Sequence, residues 1–105
     1  MKLFSHQTLT LSGAIGLLVF AISASADVST HARNLAASCA ACHGTNGNSV
    51  GGTPILAGLD KALFVKQLQD FKTGARPATV MQQHAKGYTA EEIELLADFF
   101  SAQKR

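Results

Sequence analysis

The chain has 105 residues, 47% of them hydrophobic and 15% charged, with nine Lys and Arg against seven Asp and Glu for a net charge of +2 at pH 7. That length allows one domain at most, and so small a surplus argues against nucleic acid, which calls for a basic face. No repeat or low-complexity tract appears in the composition, which is that of an ordinary globule.

The first element is "MKLFSHQTLTLSGAIGLLVFAISASA". Lys2 is its only Lys or Arg, Leu9 to Ile22 is apolar apart from small residues, and Ala24-Ser25-Ala26 has the small-x-small form of a cleavage site. This predicts an export signal over residues 1–26, cleaved before Asp27. The apolar run is shorter than the ~20 residues that cross a bilayer, so no membrane attachment is expected after cleavage. The remaining single domain, 27–105, has 79 residues once the 26 of the leader are taken away, with eight basic and seven acidic side chains. A domain this small needs a staple beyond its own core. Export also implies the periplasm, where thiols are oxidised unless something consumes them.

Three helices are predicted in the domain. The first spans about Ser29 to Cys42, with Ala32, Leu35, Ala36 and Cys39 on one face. The second spans about Lys61 to Thr73, capped by Asp60, striped by Phe64, Leu68 and Phe71, and ended by Gly74. The third spans about Ala90 to Gln103. Thr89 and Glu92 can form a capping box there, and Ile93, Leu96, Ala97 and Phe100 repeat the helical spacing. No stretch of the domain alternates as a strand would, so the fold class is all-α. The connections 44–58 and 74–88 have no helical period. Unstructured segments of that length are uncommon in a small domain unless they wrap something.

The chemistry concentrates in "SCAACH", residues 38–43, which holds both cysteines. A disulfide between Cys39 and Cys42 closes so short a loop that it constrains the unfolded chain little. Zinc wants a fourth ligand, and His31 and His84 form no second pair. A redox dithiol of the thioredoxin kind wants a βαβ unit, which is absent. On a helix, Cys39, Cys42 and His43 fall at i, i+3 and i+4, so two thiols and an imidazole share a face. That is C-x-x-C-H, the pattern of covalent haem attachment: thioethers at Cys39 and Cys42, an iron ligand at His43. One haem c supplies the core surface that 79 residues lack.

Met81 is the only methionine after the leader and is expected on a loop before the last helix. It is the predicted sixth ligand, where a thioether raises the reduction potential. His31 and His84 are its rivals, and an iron left five-coordinate would suit a haem enzyme or gas sensor. The Pro54 carbonyl is the expected acceptor for the second ring nitrogen of His43. Lys72, Arg76 and Lys86 flank the ligand loop and could steer an acidic partner.

"CAACHGTNG", then "PILAG", then a lone Met before a C-terminal helix resemble the class I cytochromes c over about Ala32 to Gln103. The resemblance implies a helical shell whose first and last helices cross, around one haem ligated by His43 and Met81, with Pro54 bonded to His43. "QLQDFKTGARPATVMQQHAKGYTAEEIELLADFF" is further similar to the cytochrome subunits of flavocytochrome c sulfide dehydrogenases, in their single-haem form. Those subunits accept electrons from a flavoprotein that oxidises sulfide. No G-x-G-x-x-G occurs here, so the FAD would sit on that partner, and the chain would carry electrons rather than catalyse alone. The alternative is a free periplasmic cytochrome c shuttling electrons between dehydrogenases and an oxidase.

Overall fold

In a computed structural model of the chain, residues 30–105 are described, and within them the structure is helical without strands. The expected leader, residues 1–26, lies outside the described residues. Five helices follow in order. These are α1 (30–37), α2 (Ala40–His43), α3 (Lys61–Thr73), α4 (Met81–Lys86) and α5 (Ala90–Ser101), with a 3₁₀ turn at Thr45–Gly47.

The single first helix expected from the apolar spacing is two. Ser38 turns its hydroxyl back onto the Leu35 carbonyl at 3.2 Å, and the Cys39 amide bonds Ala36 O, three residues back, at 3.1 Å. Such back-bonding by serine competes with the helix ladder and tightens the turn. Cys39 nonetheless stays in the helical region at φ −73°, ψ −27°, and caps α2. The helical path therefore continues through the break, and Cys39, Cys42 and His43 keep a common side.

α3 and α5 match their sequence signals. The Asp60 carboxylate accepts from the Leu63 amide at 2.9 Å, and α3 stops at Gly74, which takes φ +83°. At α5 the Thr89 hydroxyl accepts from the Glu92 amide at 3.2 Å, while the Glu92 carboxylate accepts from the Thr89 amide at 2.9 Å. The two orphan donors of the first turn are thereby satisfied.

The core forms where these helices meet. Ile93, Leu96, Ala97 and Phe100 of α5 are buried together with Phe64 and Leu68 of α3 and Ala36 of α1. Phe100 is the hub: its ring stacks on Phe64 at 5.6 Å between centroids and meets Phe99 edge-on at 5.1 Å. Burying a side chain of this size is worth about 1.5–3 kcal/mol. Ala32 and Ala36 are the buried positions of α1, small enough to bring its backbone close to the core.

Both long connections carry more order than their composition predicts. In the first, the Gly47 carbonyl accepts from the Leu56 and Ala57 amides at 2.9 and 3.2 Å, and Gly58 N–H reaches Phe100 O at 2.9 Å. The C-terminal residues hold the same loop: Arg105 Nε donates to Ala57 O at 3.0 Å, and Asn48 Nδ2 to Lys104 O at 2.9 Å. In the second, "MQQHAK" is a helix packed on α3, with Ala85 fully buried. Met81 is therefore the first residue of α4 and not a loop residue. Among the described residues no helix is long and apolar enough to cross a membrane.

Candidate functional site

Folding of these elements leaves a cavity of about 290 Å³ whose walls come from α2 to α5 and the segments beside them. Cys39, Cys42 and His43 stand on one side. Phe64, Leu68 and Phe71 of α3 and Leu96 of α5 supply apolar walls, with Leu56 from the first loop. Val80, Met81 and His84 come from α4 and its approach, and Tyr88 from the turn before α5.

His43 is the one buried polar residue among those described, and its geometry is specific. Its Nδ1 lies 2.7 Å from the Pro54 carbonyl oxygen. A carbonyl only accepts, so Nδ1 carries the proton and Nε2 is the nitrogen with a free lone pair. The Pro54 acceptor expected from the sequence is thus in place. Gly44, at φ +79°, sets the exit from α2: a Cβ there would meet Asn48 O at 2.5 Å.

The two thiols differ. Cys42 is exposed, whereas Cys39 is half-buried. Burial pushes the Cys39 thiol up, an effect opposed by hydrogen bonds from the Ser38 and Tyr88 hydroxyls. Ser38 Oγ and Tyr88 Oη are 2.9 Å apart. Lys72 Nζ in turn donates to the Tyr88 carbonyl, which ties the side chain expected to steer a partner into the turn before α5. The Arg76 guanidinium lies 4.8 Å over the Phe71 ring and, among the described residues, is the only Lys or Arg lining the cavity. Lys86, the third basic residue of that group, is exposed on α4.

The fold thus gathers Cys39, Cys42, His43, Pro54, Met81 and His84 around one space and leaves His31 outside it. Sequence reasoning missed Tyr88, Ser38 and Gln67 as wall residues; only the i−1 position of Ser38 in the motif hinted at its place. Among the described residues no three His, Cys, Asp or Glu side chains converge as a zinc site requires. The donor set is two imidazoles, His43 and His84, and one thioether in an apolar chamber, with two thiols beside the His43 ring. It fits a flat apolar macrocycle with an iron centre, held by its substituents and ligated from the chain.

Comparison with known proteins agrees. A family model described as cytochrome c matches residues 30–103. The chain is 52% identical over 66 residues to the cytochrome subunit of sulfide dehydrogenase of Chlorobaculum tepidum, covering 63% of this chain and 60% of that one. It is 37% identical over 93 residues to cytochrome c-553 of Helicobacter pylori, covering 87% and 94%. It is also 44% identical over 71 residues to the thiosulfate dehydrogenase electron acceptor of Thiomonas intermedia, covering 66% and 33%. The match thus spans under two thirds of the first and third of these relatives.

Proposed function

The chain belongs to the cytochrome c family, whose chemistry is electron transfer by a covalent c-type haem, and from that premise we propose the roles of its residues and its place in metabolism. Cys39 and Cys42 would hold the haem as thioethers, and His43 Nε2 and Met81 Sδ would ligate its iron. When bound, the haem supplies one-electron chemistry at its iron. The observation that carries this assignment is the His43–Pro54 hydrogen bond in the wall of a cavity that Met81 also lines. Pro54 fixes the tautomer and the ring plane of His43, and an acceptor at Nδ1 makes Nε2 a stronger donor. Phe64, Leu68, Phe71 and Leu96 exclude water from the site, and Met81 favours the reduced state relative to a nitrogen donor. No residue here acts as a general acid or base.

The protein works in the periplasm as the cytochrome subunit of a sulfide-oxidising flavocytochrome, taking electrons from a separate flavoprotein that carries FAD. What supports this is the similarity to the Chlorobaculum subunit and the single C-x-x-C-H. Ile55, 43% exposed beside Pro54 and not part of the cavity wall, gives apolar contact area where a docking partner would sit. A second reading, a free electron carrier, is favoured by the match that spans 94% of the Helicobacter cytochrome c-553.

The test uses untagged protein isolated from its native periplasm, with haem and flavin absorption recorded together before and after sulfide is added. Flavin that co-purifies, with fast haem reduction by sulfide that disappears when the chains are separated, is the expected result. Haem alone, reduced quickly only by a foreign reductase, would leave the free carrier. Met81 ligation is read separately, from the thioether-to-iron absorption of the ferric protein and its loss in Met81→Ala.

A further inference from the structure

We propose that His84 is a latent second ligand for the haem iron, placed on the Met81 side of α4 to take the iron whenever the Met81 thioether leaves it. The inference rests on Met81 being the resident ligand.

Met81 and His84 stand at i and i+3 of a six-residue helix. Side chains so spaced are neighbours, with Cβ atoms about 5–6 Å apart. Both line the cavity that His43 also lines. The other histidines among the described residues do not compete: His43 Nδ1 is held by Pro54, and His31 lies away from the cavity.

The helix itself permits the exchange. Ala85 is its one buried residue, and neither end has a side-chain cap. α3 and α5 are each fixed by a side-chain cap and by two or more buried side chains. α4 packs on α3 and Met81 rests against the core, but with one fully buried side chain and no side-chain cap it shifts at lower cost than α3 or α5. A turn of α4 about Ala85 would draw Met81 back and bring His84 forward. His84 is exposed, so the move removes no core side chain.

Imidazole is a common iron ligand, and a nitrogen in place of the thioether lowers the reduction potential. His84 would thus keep the iron six-coordinate and closed to small molecules while turning the protein into a weaker electron acceptor.

The test is made on holoprotein with Met81→Leu, and with Met81→Ala as a second variant in case leucine misfits. The readouts are the ferric electron paramagnetic resonance spectrum and carbon monoxide binding by the ferrous form. Both single variants are expected to be low-spin, and each is expected to become high-spin when His84→Gln is added. If His84 holds nine-tenths of the iron, adding His84→Gln tightens apparent carbon monoxide binding about tenfold. A high-spin signal in both Met81 variants overturns the proposal. So does a low-spin signal that survives His84→Gln. The premise is read separately: a wild-type signal lost on His84→Gln alone would make His84 the resident ligand and overturn the Met81 assignment instead.

Discussion

His43 Nδ1 donates to the carbonyl oxygen of Pro54 at 2.7 Å, across eleven positions of chain, and so joins α2 to the far side of the first long loop. Replacing Pro54 by alanine keeps that carbonyl but frees the backbone that aims it. The unfolded chain gains conformations and the bond loosens, a loss of about 0.5–1 kcal/mol. Denaturation of the holoprotein should show it, together with faster solvent exchange of the His43 Nδ1 proton by NMR. Unchanged exchange would mean that the loop is aimed by other contacts.

Gly47 has φ +78°, and a Cβ there would lie 2.8 Å from Leu56 Cβ and 2.9 Å from both Ala57 N and Phe100 Cδ1. Gly47→Ala therefore combines backbone strain with overpacking against the core hub, and should destabilise by about 2 kcal/mol or more. Gly52, at φ +87° with nothing within 4 Å of its Cβ position, provides the control. Gly52→Ala meets only the backbone term, about 1–2 kcal/mol. Equal losses in urea denaturation would show that the contacts at Gly47 carry no weight.

Phe100 is 1% exposed and touches both Phe64 and Phe99. Phe100→Ala should remove about 3–5 kcal/mol, a large part of what so small a domain has. Thr89→Ala, which breaks the capping box, should remove only about 1 kcal/mol. Thermal unfolding of the two holoproteins checks the order, and a Thr89 variant as damaged as the Phe100 variant would contradict it.

Among the described residues, Arg76 is the only Lys or Arg in the cavity wall, held over Phe71. A nearby positive charge disfavours the more positive ferric state, so Arg76→Gln should lower the reduction potential. Because Arg76 is exposed, solvent screens it, and the fall should stay below the ~59 mV that is tenfold for one electron. Arg76→Lys should retain most of the wild-type value. A potential that rises in the Gln variant would exclude this electrostatic role.

Much of the molecule was legible because it depends on neighbours in sequence. The caps at Asp60 and Thr89–Glu92, the glycine stop at Gly74 and the apolar faces of α3 and α5 all rest on contacts three or four residues apart. α4 was not legible: its six residues carry one fully buried residue, Ala85, and the partly buried Met81, whose burial comes from packing on α3 and the core and not from any pattern in "MQQHAK". The break after α1 was missed for a like reason, since Ser38 is held both by Leu35 nearby and by Tyr88, fifty positions on.

Sequence alone therefore determined the attachment chemistry and the all-helical class. Two thiols and an imidazole within five residues share a face on any helix, and helical periodicity is a local property. Only the tertiary structure decided how the imidazole is oriented, that Met81 opens a helix, and that Met81, His84, Arg76 and Tyr88 line one cavity with the cysteines. Those relations join residues dozens of positions apart, and burying Phe64, Leu68, Leu96 and Phe100 in one core is what draws the segments together.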